Sequence, residues 1–205
     1  MTRIKGVVFD CDGVLFESRQ ANLAYYNAVF EECGFPLVSV DEPEKVHICH
    51  TAATPQVFAT LLSPPQAQQA LAVARGIDYR QFVPLMIPEP DLLEVLQALH
   101  GQCSLAVATN RGHGVKDLLT FFGLQDFFVT VVSSADVEWP KPHPDMLLLV
   151  ADRLAIEPCE LLFVGDSELD FQAAGEAGMP FVGYKNSFVG QQAVNSHRDL
   201  LALLA

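Results

Sequence analysis

Five short apolar runs constrain the fold of this 205-residue chain more than any other feature. They are rich in Val, Phe and Leu, and they span residues 4–9, 104–108, 128–132, 161–164 and 180–182. Strands that are apolar throughout are typical of parallel sheets covered on both faces. Because helical patterns separate the last four runs, the sequence predicts an α/β fold with a doubly wound parallel sheet. Right-handed crossovers favour the strand order 5-4-1-2-3, with the third and fifth strands at the edges.

A long interval without a predicted strand separates the first run from the second. Thr54 and Ser63 each stand before a proline, as helix N-caps do. We therefore predict a core domain of residues 1–16 and 88–205, interrupted by a small helical cap domain of residues 17–87.

Two carboxylates follow the first run directly, in the segment VVFDCDGV. Side chains at positions i and i+2 of a strand point to the same face, which would bring Asp10 and Asp12 together. Like charges that close resist ionising together unless a cation or hydrogen-bond donors offset them. The pair therefore indicates either a charged site under the cap or an ordinary turn at Asp12-Gly13.

Polar groups also follow three of the later runs. Thr109 and Asn110 lie in VATNRGHG, Lys141 stands between two prolines in WPKPHP, and Asp166 and Asp170 lie in VGDSELD. Helix capping and a proline-rich connector could each explain one of these groups alone. The carboxyl ends of parallel strands meet at one edge of a sheet, however, so together the groups predict a single site.

The predicted site contains four carboxylates, one lysine and a hydroxyl–amide pair. Such a site is too negative for an anionic substrate unless it also binds a divalent cation. Oxygen ligands of this kind suit Mg²⁺, which we therefore expect at this site.

The segments DCDGV, ATN, KPHP and GDSELD, in that order, resemble the four motifs of the haloacid dehalogenase superfamily. More narrowly, the chain resembles the phosphoglycolate-phosphatase-like branch, which has a helical cap of the C1 type after the first motif. The resemblance covers the whole chain. It implies a Rossmann-like core and a hydrolase that works through an aspartyl-phosphate.

The resemblance also assigns roles to individual residues. Asp10 would be the nucleophile, and Asp12 would protonate the leaving group and then activate water. Thr109 would hold the phosphoryl oxygens and Asn110 would support the loop, while Lys141 would neutralise the nucleophile and the phosphate. Asp10, Asp166 and the backbone carbonyl of Asp12 would bind Mg²⁺, with Asp170 acting from behind these ligands.

We therefore predict a Mg²⁺-dependent phosphatase that hydrolyses a small phosphorylated metabolite. One alternative is a sugar phosphomutase of the beta-phosphoglucomutase type, which shares the motifs. Another is a non-enzymatic protein that binds a phosphate-containing ligand. Phosphate release from a panel of metabolites, with and without Mg²⁺, discriminates among the three.

The cap should supply substrate specificity, and Arg19, His47 and His50 are candidates for contacting the substrate. A purely structural role is the alternative for each of them. His47, Cys49 and His50 match no common zinc-binding spacing, so we do not predict zinc.

Net charge and cysteine content limit which partners and which cellular compartment we expect. The formal net charge of -13 argues against binding to nucleic acid or to an anionic membrane. The five cysteines are scattered without a Cys-x-x-Cys pair, which favours a cytoplasmic protein. We expect neither a signal peptide nor a membrane span. The sequence does not indicate the leaving group or the oligomeric state.

Overall fold

A parallel sheet lies at the centre of the computed structural model, which describes residues 3–112, 114–186, 188 and 192–204. In chain order the strands are β1 (Gly6–Phe9), β2 (Phe16–Glu17), β3 (Ile87–Pro88), β4 (Ser104–Thr109), β5 (Thr130–Ser133), β6 (Leu161–Gly165), β7 (Phe181–Tyr184) and β8 (Gln192–Val194). Six of them form the sheet, in the order β5-β4-β1-β6-β7-β8, and β2 pairs separately with β3. The predicted α/β class with a parallel sheet is confirmed.

The five predicted strands occur in the predicted order, with β1 central and hydrogen-bonded to both β4 and β6. The expectation that the fifth strand forms an edge is wrong, because β8 pairs in parallel with β7. This sixth strand has three residues, two of them exposed. It therefore lacks the run of four to eight apolar residues by which a strand is recognised in a sequence.

Helices occupy most of the remaining chain. They are α1 (Arg19–Cys33), α2 (Pro43–Thr51), α3 (Thr54–Leu61), α4 (Pro64–Ala74), α5 (Leu92–Leu99), α6 (Val115–Phe121), α7 (Asp145–Leu154), α8 (Glu168–Ala177) and α9 (His197–Leu204). Short 3-10 helices span Tyr79–Leu85, Gln125–Phe127 and Pro158–Glu160. Ser63 is the N-cap of α4 as predicted, whereas Thr54 is the first residue of α3 and Ala53 is its N-cap. Among the described residues, no helix is long and apolar enough to cross a membrane.

Helices cover both faces of the sheet, which explains why its strands are apolar throughout. Successive side chains of a strand point to opposite faces. Val7 and Phe9 pack into a buried cluster with residues of α5, α6 and α9. Val8 packs on the opposite face, in a second cluster with residues of α7 and α8. The sheet is thereby fixed between two apolar layers, and its strand ends provide a rigid base for polar groups.

The segment between β2 and β3 has a hydrophobic cluster of its own. Side chains of α1 to α4 form it, including Tyr26, Phe30, Val57, Phe58 and Ala70. The division of the chain into core and cap domains stays a prediction, and this cluster is what such a division requires.

The expectation that residues 17–87 contain no strand is wrong at both ends of the segment. Glu17 pairs with Ile87, and Phe16 pairs with Pro88, in the antiparallel pair of β2 and β3. Strands of two residues are too short for any alternation of apolar and polar side chains to be visible in the sequence.

Candidate active site

Three adjacent strands end at the same edge of the sheet, and each delivers one predicted site residue. Asp10 follows β1, Thr109 is the last residue of β4, and Asp166 follows β6. All three residues are buried. Because β1 pairs with both neighbours, its carboxylate lies between the other two strand ends.

Lys141 reaches this edge from the loop between β5 and α7, and it is 1% exposed. Its Nζ atom lies 2.9 Å from Oδ1 of Asp10 and 2.5 Å from Oδ1 of Asp170. It also donates a hydrogen bond to the backbone oxygen of Ala108, at 3.1 Å. Burial alone would lower the pKa of Lys141, but the two carboxylates raise it above its ordinary value. The lysine is therefore a permanent positive charge beside Asp10.

Asp170 caps a helix and also contacts Lys141 in the candidate site. Its Oδ2 atom accepts hydrogen bonds from the backbone N–H and the hydroxyl of Ser167, at 3.0 and 2.5 Å, in a capping box that begins α8. Its Oδ1 atom faces Lys141. Helix capping thus aims the carboxylate at the lysine, and both of its oxygens are engaged by protein groups.

Carboxylate oxygens of Asp10, Asp166 and Asp170 lie within 4.8 Å of one another. Burial raises the pKa of Asp10 well above its ordinary range. Lys141 acts in the opposite direction, but the neighbouring carboxylates add to the effect of burial. Burial and Asp170 likewise raise the pKa of Asp166. Oδ1 of Asp10 receives no well-aligned hydrogen bond despite its closeness to Lys141. This cluster lacks one or two positive charges, and its oxygen donors suit a hard divalent cation.

The turn after Asp12 depends on a glycine. Gly13 has a φ of +79°, in the left-handed region, and a Cβ atom there would overlap the carboxylate of Asp166. The turn interpretation of Asp12-Gly13 is therefore correct, and the turn also lets the chain approach Asp166 closely.

The charge of Asp12 is offset by Arg111, whereas Lys141 offsets Asp10 and Asp170. Its carboxylate accepts hydrogen bonds from Arg111, from the hydroxyl of Ser18 and from the amide of Asn22. Burial would raise the pKa of the Asp12 carboxyl, but the guanidinium of Arg111 outweighs burial and keeps the pKa below its usual value. The acidic pair is thus divided between two environments, one beside Lys141 and one beside Arg111.

Thr109 and Asn110 line the same cavity as Asp10. The hydroxyl of Thr109 accepts a hydrogen bond from the backbone N–H of Arg111, at 3.1 Å. The side-chain amide of Asn110 donates to the backbone oxygens of Lys141, at 3.0 Å, and of Thr51, at 3.1 Å. Asn110 therefore ties the lysine loop to the last residue of α2.

Of the three candidate substrate contacts in residues 17–87, His50 alone reaches the acidic cluster. Its side chain is buried, and Nε2 lies 3.7 Å from Oδ2 of Asp166. Within the described part of the chain, Nε2 has no hydrogen-bond partner. His47 and Arg19 are exposed and do not line the cavity, and Arg19 pairs with Glu17 at 2.6 Å.

A cavity of about 670 Å³ opens above these groups. Its walls are formed by the strand-end residues, by the segment between β2 and β3, and by α6 together with the residues that follow β5. Residues that line it include Asp10, Asp12, Asn22, Tyr25, His50, Tyr79, Thr109, Asn110 and Arg111.

Sequence reasoning missed Ser18, Asn22 and Tyr79. Asn22 is buried on the inner face of α1, and its amide oxygen accepts hydrogen bonds from the hydroxyl of Tyr79, at 2.9 Å, and from Arg111, at 3.0 Å. An asparagine on the buried face of an amphipathic helix is the signal that could have identified it, because such a group needs a polar partner.

Comparison with known proteins identifies the class. Residues 7–184 match the haloacid dehalogenase-like hydrolase family, and the chain belongs to this family. The predicted family and the hydrolase class are thereby confirmed.

Individual relatives are similar over nearly the whole chain. The phosphoglycolate phosphatase of Salmonella typhimurium is 30% identical over 225 aligned positions, which cover 98% of this chain and 89% of the relative. A haloacid dehalogenase-superfamily hydrolase of subfamily IA from Geobacter sulfurreducens superposes with a TM-score of 0.87 at 41% identity, covering 98% of this chain and all of that one. A predicted phosphoglycolate phosphatase from Haemophilus somnus gives a TM-score of 0.85 at 25% identity over the full length of both chains.

Proposed function

We propose that this chain is a Mg²⁺-dependent phosphatase that acts on a small phosphorylated metabolite through an aspartyl-phosphate. The proposal rests on family membership and on the name of the Salmonella relative, which makes 2-phosphoglycolate the first substrate to test. The strongly acidic chain and its free cysteines support a small-molecule substrate and a cytoplasmic setting.

The observation that carries the proposal is the environment of Asp10. One carboxylate oxygen lies beside a buried, protonated lysine and receives no well-aligned hydrogen bond, at the base of a cavity large enough for a small metabolite. A carboxylate that serves only the fold would have its oxygens hydrogen-bonded. An under-bonded carboxylate in a cavity suits a nucleophile.

The acidic cluster fits a divalent metal ion. Asp10, Asp166 and Asp170 with one lysine leave one or two uncompensated negative charges, and the absence of a side chain at Gly13 keeps space beside Asp166. Asp10 and Asp166 would bind the ion directly, together with the backbone carbonyl of Asp12. Asp170 is engaged by Ser167 and Lys141 and would orient the lysine instead. When bound, Mg²⁺ would neutralise the phosphate and make its phosphorus more electrophilic.

In the first half of the reaction, Asp10 attacks phosphorus and the bond to the leaving-group oxygen breaks. Lys141 reduces the repulsion between two anions and stabilises the charge that moves to the equatorial oxygens. Thr109 holds one of those oxygens. Because Arg111 keeps the pKa of Asp12 low, Asp12 would first take the proton that a phosphate monoester monoanion brings and then pass it to the leaving alkoxide.

In the second half, water attacks the aspartyl-phosphate and inorganic phosphate leaves. Asp12, now ionised, takes the proton from water, so that the same group acts first as acid and then as base. Dividing the displacement into two steps lowers the barrier of each.

Residues 17–87 would form a helical cap over this centre. Their own hydrophobic cluster supports an independent packing unit, and His50, Asn22 and Tyr79 would be its buried or half-buried polar contributions to the cavity wall nearest to Asp12 and Asp166, among other lining residues. Such a cap would exclude water during the first step.

Metal removal tests the proposal. Phosphate release from 2-phosphoglycolate and from a panel of monophosphates should fall by at least about 10³-fold after chelation and return with Mg²⁺. Ca²⁺ should restore less, because its longer and more variable coordination suits this site poorly. Conversion of a sugar phosphate to its isomer without phosphate release would indicate a mutase. Tight binding without turnover would indicate a binding protein, and either result contradicts the proposal.

His50 and His47 both lie in α2, so their substitutions give a test and a matched control for substrate contact by the cap. His50→Ala should lower kcat/KM for the preferred substrate by about tenfold or more, because a donor close to the reacting group is lost. The loss should be smaller for p-nitrophenyl phosphate. His47→Ala, on the same helix but exposed, should change kcat/KM less than about twofold. Equal losses in the two variants would contradict a substrate contact by His50.

A further inference from the structure

We propose that the preferred substrate is a phosphate monoester whose alcohol carries an uncharged aromatic group, an inference that rests on the proposed phosphatase function. The aromatic group would lie in the part of the cavity beyond Asp12, against Tyr25, Tyr79 and Phe121. Such a substrate is larger than 2-phosphoglycolate and lacks its carboxylate.

The cavity is larger than 2-phosphoglycolate requires. Its volume of about 670 Å³ falls in the range of about 300–1,000 Å³ that is usual for cavities enclosing drug-sized ligands. Thr109, at the end of β4, and Phe121, the last residue of α6, both line it. Because Phe121 lies one and a half turns after the start of α6, the wall runs roughly 9 Å along this helix away from the strand ends. This length leaves room for a leaving group beyond the phosphate.

Aromatic side chains form much of the outer wall. Tyr25 and Tyr79 line it with ring centres 5.3 Å apart, and the ring of Tyr26, a third lining residue, lies 5.1 Å from that of Tyr25. Phe121 lines the cavity from α6 and is 65% exposed. Aromatic rings pack favourably on one another in tilted and offset arrangements, so an aromatic ligand uses this wall better than an aliphatic one. Covering Phe121 would also remove apolar surface from water.

The charges along the outer wall balance one another. Three arginines and three aspartates line the cavity beyond Asp10, namely Arg75, Arg80, Arg111, Asp12, Asp78 and Asp117. The least exposed of these arginines, Arg111, is already paired with Asp12, and Arg80 is paired with Asp78. Arg75 and Asp117 are exposed to solvent, which screens their charges. Among the described residues of this wall, no buried arginine is left to compensate a second anionic group, so an uncharged leaving group fits best.

Tyr79 connects the aromatic wall to the reacting groups. Its ring centre lies 4.5 Å from the guanidinium carbon of Arg111, which in turn holds the carboxylate of Asp12. A ring packed beside Tyr79 and Tyr25 would therefore bring the ester oxygen close to Asp12, the proposed acid. Binding energy from this remote contact would then help to orient the phosphate toward Asp10.

The test compares primary alkyl esters that share a propyl chain. They are 3-phenylpropyl phosphate, 3-cyclohexylpropyl phosphate, propyl phosphate and 3-phosphooxypropanoate, which carries a carboxylate. The wild-type enzyme should favour the phenyl ester over propyl phosphate by about 30-fold or more in kcat/KM, as burial of a phenyl group predicts. It should favour the phenyl ester over the cyclohexyl ester by about threefold or more. The carboxylate ester should be no better a substrate than propyl phosphate.

Two lining residues test where the ring binds. Phe121→Ala and Tyr25→Leu should each lower the kcat/KM ratio of 3-phenylpropyl to propyl phosphate by about fivefold or more. Phe121 is exposed, so its substitution should leave the fold intact. Leu93→Ala is the matched control, because Leu93 is 51% exposed on α5 and lies outside the residues that line the cavity. It should leave the ratio within about twofold of the wild-type value.

Calorimetry in an Asp10→Asn background gives a readout that does not depend on turnover. In this background 3-phenylpropyl phosphate should bind at least about tenfold more tightly than propyl phosphate. Adding Phe121→Ala should reduce this difference, and adding Leu93→Ala should not.

A wild-type ratio near one, or a preference for 3-phosphooxypropanoate, overturns the inference, while phosphate release from any of the esters still supports the proposed function. Equal kcat/KM values for the phenyl and cyclohexyl esters overturn the aromatic assignment. A ratio that neither Phe121→Ala nor Tyr25→Leu changes overturns the proposed location. No phosphate release from these esters or from 2-phosphoglycolate, with Mg²⁺ present, overturns the proposed function and this inference together.

Discussion

Replacing Asp10 with Asn is expected to lower turnover by about four orders of magnitude or more, because the amide keeps the shape of the side chain but cannot attack phosphorus. The fold should survive. In metal-free buffer the variant should be at least as stable as the wild type, since it removes one negative charge from a buried cluster that also contains Asp166 and Asp170. Single-turnover phosphate release measures the first effect, and thermal unfolding in the presence of a chelator measures the second.

The matched control is Asp152→Asn, which makes the same chemical change at an exposed position of α7. It should change neither turnover nor stability appreciably. A folded Asp10→Asn variant that kept more than a few per cent of wild-type turnover would exclude Asp10 as the nucleophile.

Replacing Lys141 with Met is expected to damage both activity and folding. The substitution leaves Asp10 and Asp170 buried without their shared cation, which costs about 3–5 kcal/mol in the free energy of unfolding. Turnover should fall by at least about 10³-fold, because the charge that offsets nucleophile and phosphate is lost. Chemical denaturation without metal measures the stability. Mg²⁺ should recover part of it, since the ion would compensate the same carboxylates.

Lys5→Met is the control for this prediction. Lys5 pairs with Glu160 at 2.7 Å, but its side chain is 54% exposed, so the loss should be below about 1 kcal/mol. If Lys141→Met were no more destabilising than Lys5→Met, the account of Lys141 as the charge that holds the cluster together would be wrong.

The sequence predicted the sheet because its strands are buried on both faces. Val7, Val8 and Phe9 face two different apolar layers, so every position of β1 is apolar and the strand is recognisable. The chain order of the motifs then predicted which strand ends carry Asp10, Thr109 and Asp166, since parallel strands bring these ends to one edge. β8 was not predicted because two of its three residues are exposed, so it has no apolar run that would mark it as a strand.

The partner of Asp12 could not be predicted in the same way. Arg111 follows Asn110, and nothing in its neighbours along the chain distinguishes a guanidinium that turns to Asp12 from one that turns to solvent. Its direction depends on Asn22 and Tyr79, which lie at least 32 positions away in the chain and meet it only in the folded protein. Spacing within a motif contains no information about such contacts.

The two hydrogen bonds donated by Asn110 have a consequence for the timing of the catalytic cycle. One amide holds the backbone of Lys141 and the end of α2 together. If residues 17–87 swing away to admit substrate or release phosphate, the bond to Thr51 must break, at a cost of about 1 kcal/mol. The amide that steadies the lysine loop then loses half of its own anchoring. The lysine loop would therefore loosen at the same moment as solvent enters the cavity. Lys141 would be held least firmly while the site is open to bulk water, and the reaction would be slowest in that state.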